Sequence, residues 1–171
     1  NNQIQEQHLL GDKYPFSSRP IQHQNFVMPF KLTAGDNLIY MRVASAGTVE
    51  APLTIWLPEQ HANATADEHF LQGIWAGIIG IMVVYNLLLF FSIRDINYLY
   101  YVCFSFGYLF FQISLKGYGF AYLWPNQLEW NSFSISTFIA MSNLSVLMLM
   151  ISFLKLKERN PFAYQVMSVI A

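Results

Sequence analysis

Residues 70–93, FLQGIWAGIIGIMVVYNLLLFFSI, run for 24 positions without a charged side chain, and only Gln72, Asn86 and Ser92 are strongly polar. A helix rises about 1.5 Å per residue, so this stretch is long enough to cross a hydrocarbon core of about 30 Å. Within lipid each backbone N–H and C=O must be paired inside the segment, which leaves a helix as the form of a single span. The run stops at Arg94-Asp95. Residues before the run read as water-soluble and those after it as further membrane, so the chain divides into a soluble module and a multi-span helical module.

The overall balance agrees. Of 171 residues, 54% are hydrophobic and only 11% charged, against about a quarter charged in a typical soluble domain. A net charge of −1 leaves no electrostatic footprint for nucleic acid. The single cysteine, Cys103, lies in an apolar run and reads as a structural thiol. The opening NNQIQEQHLL has neither the basic nor the apolar region of a signal peptide, and the end, PFAYQVMSVIA, lies in an apolar run too short to span. Both ends therefore read as cut from a longer protein.

The soluble part, residues 1–60, holds three runs of period-two alternation. Phe26, Met28, Phe30 and Leu32 share one face of the first; Ile39, Met41 and Val43 share one face of the second, opposite Leu38, Tyr40 and Arg42; Leu53, Ile55 and Leu57 oppose Thr54 and Trp56 in the third. Turn-forming clusters, Ala34-Gly35-Asp36-Asn37 and Ser45-Ala46-Gly47-Thr48, separate them. This patterning predicts antiparallel strands, with Pro29 marking an edge or bulge. Strands of this kind bury their apolar face against a second sheet. The expected fold is therefore part of a β-sandwich, its remaining strands upstream, followed by a partial all-α transmembrane bundle. Residues 14–20, YPFSSRP, read as an extended loop, and residues 61–69 as a linker into the first span, with Asp67 and Glu68 near the helix start.

The helical part, residues 70–171, is read as about three and a half spans, near 70–93, 96–115, 133–154 and 162–171. The second opens with an interfacial cluster, Tyr98, Tyr100 and Tyr101, and the loop at 116–131 carries Tyr118, Tyr122, Trp124 and Trp130. Loop cations set the orientation. Arg94, Lys155, Lys157 and Arg159 lie on one side and Lys116 on the other. The cation-rich side is normally cytoplasmic, which places the soluble module outside.

Catalytic signatures are missing: the chain has no phosphate-binding glycine loop, no zinc-type cysteine pair, no H-E-x-x-H and no G-x-S-x-G. No span contains an ionisable Asp, Glu, Lys, Arg or His, which weighs against an ion pathway. His61 and His69 share an acidic stretch with Glu59, Asp67 and Glu68, better read as a solvated linker than as a metal site. No catalytic, cofactor or metal residue is assigned. Arg19, Tyr40, Arg42 and Trp56 form a candidate ligand patch, because aromatic faces with a few directed polar groups suit sugars and similar small molecules. The competing reading is that they are ordinary strand residues. Gly73 and Gly77 form a G-x-x-x-G pair that permits close helix packing, and Asn86 is a candidate interhelical hydrogen-bonding group, with Gln112 and Asn143.

In order along the chain, Pro15-Phe16-Ser17-Ser18-Arg19-Pro20-Ile21, Asn25-Phe26-Val27-Met28-Pro29-Phe30, Tyr40-Met41-Arg42-Val43-Ala44-Ser45-Ala46-Gly47 and Pro52-Leu53-Thr54-Ile55-Trp56 are followed by Gly73, Gly77, Met82, Tyr85-Asn86-Leu87, Arg94-Asp95, Tyr98-Leu99-Tyr100-Tyr101, Gly117 and Tyr122-Leu123-Trp124-Pro125. This series resembles the end of the type-2 periplasmic sensor domain and the start of the membrane domain of the bacterial seven-transmembrane receptors with diverse intracellular signalling modules (7TMR-DISM). The resemblance implies a jelly-roll sandwich akin to carbohydrate-binding modules. It also implies a seven-helix domain in the bacterial inner membrane and a cytoplasmic output such as a histidine kinase or diguanylate cyclase. Expected partners are the lipid bilayer, a small-molecule ligand of carbohydrate type and a second copy of the receptor joined through the output domain. The rival expectation is a transporter or membrane-bound enzyme whose active residues lie outside this stretch.

Overall fold

The computed structural model describes residues 7–44 and 51–155. The second expected turn, at 45–48, lies outside the described residues, as do Lys157, Arg159 and the half-span at 162–171. Three long helices dominate: α1, Pro58–Ile93; α2, Ile96–Leu115; and α3, Leu128–Phe153. Each is long and apolar enough to cross a membrane. The chain forms two compact units, one of residues up to Met28 together with those from Trp75 onward, the other Pro29–Ile74.

In the unit Pro29–Ile74 the sequence expectation fails. No β-strand forms among the described residues, and neither a sandwich nor a jelly roll is present. The turn at residues 34–37 does form, but a side chain closes it. Asn37 Oδ1 accepts from the Thr33 backbone N–H at 3.1 Å, and Asn37 Nδ2 donates to the carbonyls of Thr33 at 2.8 Å and Gly35 at 3.0 Å. Both backbone groups of Thr33 are thereby withdrawn from any ladder, while Pro29 has no N–H to offer. Among the described residues no second layer covers the alternating faces. Phe30, Leu32, Ile39, Met41, Val43, Leu53, Ile55 and Leu57 are all exposed. Alternation shows that a segment would fit a half-buried pleated surface; it does not supply the surface.

Helix α1 begins at Pro58, well before the apolar run that opens at Phe70. Pro58 stands at its first position, where a missing N–H costs nothing, and the Ala-rich stretch after it has no Gly or Pro before Gly73. The acidic residue of its first turn is therefore Glu59, and Asp67 and Glu68 lie inside the helix. At 36 residues it is about 54 Å long, more than a bilayer core requires.

In the other unit, α1 ends at Arg94, whose φ of 62° is left-handed and whose N–H donates to Phe90 O at 2.8 Å. Asp95 then caps α2 by accepting from the Asn97 N–H at 2.9 Å. Lys155 repeats the left-handed exit after α3, with φ 49°. Both cations thus sit at helix C-termini, where they suit the dipole. Helices α2 and α3 pack tightly along a seam of small residues. A Cβ on Gly107 would stand 3.0 Å from Met141 Cε, 3.1 Å from the Ser142 backbone N and 3.3 Å from Phe138 O. Ser105 and Ser114 on α2 and Ser134, Ser142 and Ser145 on α3 are buried.

Candidate functional site

The densest set of contacts outside the helix seam gathers on the loop between α2 and α3. Gly117, at φ 77°, takes the chain out of α2 in a conformation that favours glycine. A wide helical turn at Gly119–Leu123 comes next and buries Phe120 to 2% exposure. Gly119 lies directly under Trp124, leaving no room for a side chain. Trp124 Nε1 donates to Asn131 Oδ1 at 3.3 Å, and Trp124 and Trp130 both pack on Phe138. Of the loop aromatics expected at a membrane interface, Trp124 and Trp130 are thus joined with Phe138 on α3, and Tyr118 stacks on Tyr122.

The N-terminal segment seats on this loop. Pro15 and the short helical turn at Phe16–Ser18 bring the Phe16 N–H to the Pro125 carbonyl at 3.3 Å and the Phe16 ring edge-on to Phe120, with centroids 5.8 Å apart. Gln24 Nε2 donates to Tyr118 Oη at 3.4 Å. Among the described residues the buried hydrophobic side chains are Phe16, Val102 and Phe120, and two of these three meet here.

Arg19 occupies the centre of the segment at 8% exposure. Its Nη1 donates to the carbonyls of His23 at 2.8 Å and Gln24 at 3.0 Å, and Nη2 reaches Asp12 Oδ1 at 3.4 Å. The guanidinium carbon lies 4.7 Å from the Phe16 ring centre, 4.4 Å from Phe26 and 5.6 Å from Phe120. Burial lowers its pKa from the usual arginine value, and the Asp12 carboxylate opposes that shift. Arg19 therefore organises its own segment.

The residues of the expected ligand patch fall in different units. Arg19 is in one unit, and Tyr40, Arg42 and Trp56 are in the other. Tyr40 is 87% exposed, Arg42 is exposed, and Trp56 is 48% exposed with an edge-on contact to His61 at 6.3 Å. Among the described residues, nothing lies within 4 Å of where a Cβ at Gly73, Gly77 or Gly80 would stand. Gly77 and Gly80 instead line an open apolar groove of about 510 Å³ with Ile81, Val84, Tyr85 and Leu88. Asn86 bonds within its own helix, Nδ2 donating to Met82 O at 2.8 Å, and Gln112 donates to Tyr108 Oη at 3.1 Å on its own helix. Sequence reasoning missed Phe16, Gly107 and Phe120 as contact residues. Gly117 and Gly119, just before Phe120, were the available signal.

Residues 68–171 match a family model described as 7TM diverse intracellular signalling, and residues 1–57 match one described as 7TMR-DISM extracellular 2. No curated protein and no solved structure matches the chain.

Proposed function

Because the chain belongs to the 7TMR-DISM family of membrane sensory receptors, we propose that its first 57 residues are part of a periplasmic module sensing a small molecule of carbohydrate type. The signal passes through the helical domain in the bacterial inner membrane to a cytoplasmic output such as a histidine kinase or diguanylate cyclase. This stretch of chain itself performs no catalysis. The observation that carries the reading is the succession, in one chain, of an extracellular-module match and a membrane-domain match covering three apolar helices.

Two features support the orientation. Arg94 and Lys155 follow the C-termini of α1 and α3, on the side opposite the lone Lys116 of the α2–α3 loop. The N-terminal segment rests on that same loop, so segment and loop share a side. Of the candidate ligand residues, Tyr40, Arg42 and Trp56 are accessible to a sugar, whereas both Nη groups of Arg19 are engaged within the protein. Sensing requires that the ligand bind one arrangement of the receptor better than another.

Topology fusions test the orientation. Alkaline phosphatase joined after Lys116 is expected to be active, and joined after Arg94 or Lys155 inactive. The reverse pattern overturns the reading. Calorimetry of the intact receptor with a panel of mono- and disaccharides tests the ligand class, and Trp56→Ala is expected to weaken binding about tenfold.

A further inference from the structure

We propose that residues 16–24 form a clamp on the α2–α3 loop, and that movement of the outer module reaches the α2–α3 pair through this clamp. The proposal rests on the receptor reading above and adds a route to the one along α1.

Three kinds of contact build the clamp. A backbone hydrogen bond joins Phe16 to Pro125 at 3.3 Å. Ring contacts bring Phe16 and the Arg19 guanidinium onto Phe120, at 5.8 Å and 5.6 Å. The third is a close backbone approach, in which a Cβ on Gly117 would stand 2.9 Å from Gln24 O. Buried Arg19 Nε has no hydrogen-bond acceptor among the described residues, so the rings around the guanidinium stabilise the charge in place of water. Removing any one ring therefore loosens the cation as well as the apolar contact.

Mechanical connection favours this route. Helix α1 has no buried side chain among the described residues, and its ring contact with α2 is Trp75 on Tyr108 at 6.2 Å. A displacement of α1 meets little that would pass it on. The clamp, by contrast, holds a loop continuous with both α2 and α3. Those helices interlock at Gly107, and Ser142 Oγ donates to Phe104 O at 3.5 Å. Closely packed helices shift as a body rather than deform, so a pull on the loop moves the pair together.

Limited chymotrypsin digestion of the full-length receptor, in membranes with the outer face exposed, tests whether the clamp exists. Phe120→Ala is expected to speed cleavage at Tyr14, Phe16 and Phe26 about tenfold, as for a segment that opens more often. Tyr122→Ala, at an exposed neighbour, is expected to change it less than about twofold. Equal rates in the two variants overturn the clamp. If Phe120→Ala does not reach the membrane, Phe16→Ala opens the same contact from the other side and is read at Tyr14 and Phe26.

Transmission is tested with Gln24→Cys and Gly117→Cys in a Cys103→Ser background. A Cβ at Gly117 lies 3.5 Å from that of Gln24, within disulfide range. Oxidation with copper phenanthroline locks the clamp, and dithiothreitol releases it. Basal output of the intact receptor is expected to differ about fivefold between the two states. A complete cross-link with unchanged output overturns transmission and leaves the receptor reading standing. The receptor reading itself fails if deleting residues 7–57 also leaves output unchanged.

Discussion

Gly107 and Gly77 both sit in apolar helices, and both are small enough to let a second helix approach. At Gly107 the partner has arrived: Met141, Ser142 and Phe138 of α3 lie within 3.3 Å of where a Cβ would be. At Gly77 the same space is empty, although Gly73, Gly77 and Gly80 make the more recognisable pattern. The contrast lies in what faces the glycine. Gly107 belongs to a seam with buried serines on both sides, so backbone meets backbone. The α1 glycines line an apolar groove that no described residue fills. A small-residue motif permits close approach, but the partner has to come from elsewhere in the fold.

Substitutions can break or sharpen this contrast. The largest effect is expected from Gly107→Val, which forces the α2 and α3 backbones apart; overpacking of this kind costs about 1–3 kcal/mol. Thermal unfolding in detergent should show a Tm drop of several degrees, and an unchanged Tm would mean that the seam is not tight. Next is Gly117→Ala. It combines φ 77° with the 2.9 Å approach to Gln24 O, and a left-handed alanine alone costs about 1–2 kcal/mol. Its loss should appear as faster proteolysis of the N-terminal segment, with α2 and α3 intact. Asp95→Ala removes the α2 cap and should cost about 1 kcal/mol, recovered by Asp95→Asn. Smallest is Gly77→Ala, expected to be neutral or to stabilise by up to about 1 kcal/mol through helix propensity. Marked destabilisation there would show that a partner occupies the groove in the intact protein.

A similar contrast separates the two halves of the N-terminal region. Residues 14–20, read from their prolines as an extended loop, carry a buried arginine and a buried phenylalanine. The alternating runs at 25–32, 38–44 and 52–57, read as strands, form no strand among the described residues and are largely exposed. Prolines marked the first stretch as irregular, yet irregular backbone can be the best-packed part of a molecule when a loop elsewhere receives it. Period-two spacing marked the second as sheet-like, yet Asn37 spends the Thr33 backbone groups on a local turn.

From its residues alone the chain was legible as a membrane protein with apolar helices at 70–93, 96–115 and near 133–154, and as a member of its family. That is because a lipid-embedded segment must satisfy its own backbone hydrogen bonds, so length and apolar composition suffice to identify it. The tertiary structure alone decided which glycine receives a helix, that Arg19 organises its own segment, and that no sheet forms among the described residues. Each of these depends on a group distant in sequence arriving at the right place, and local spacing carries no record of such an encounter.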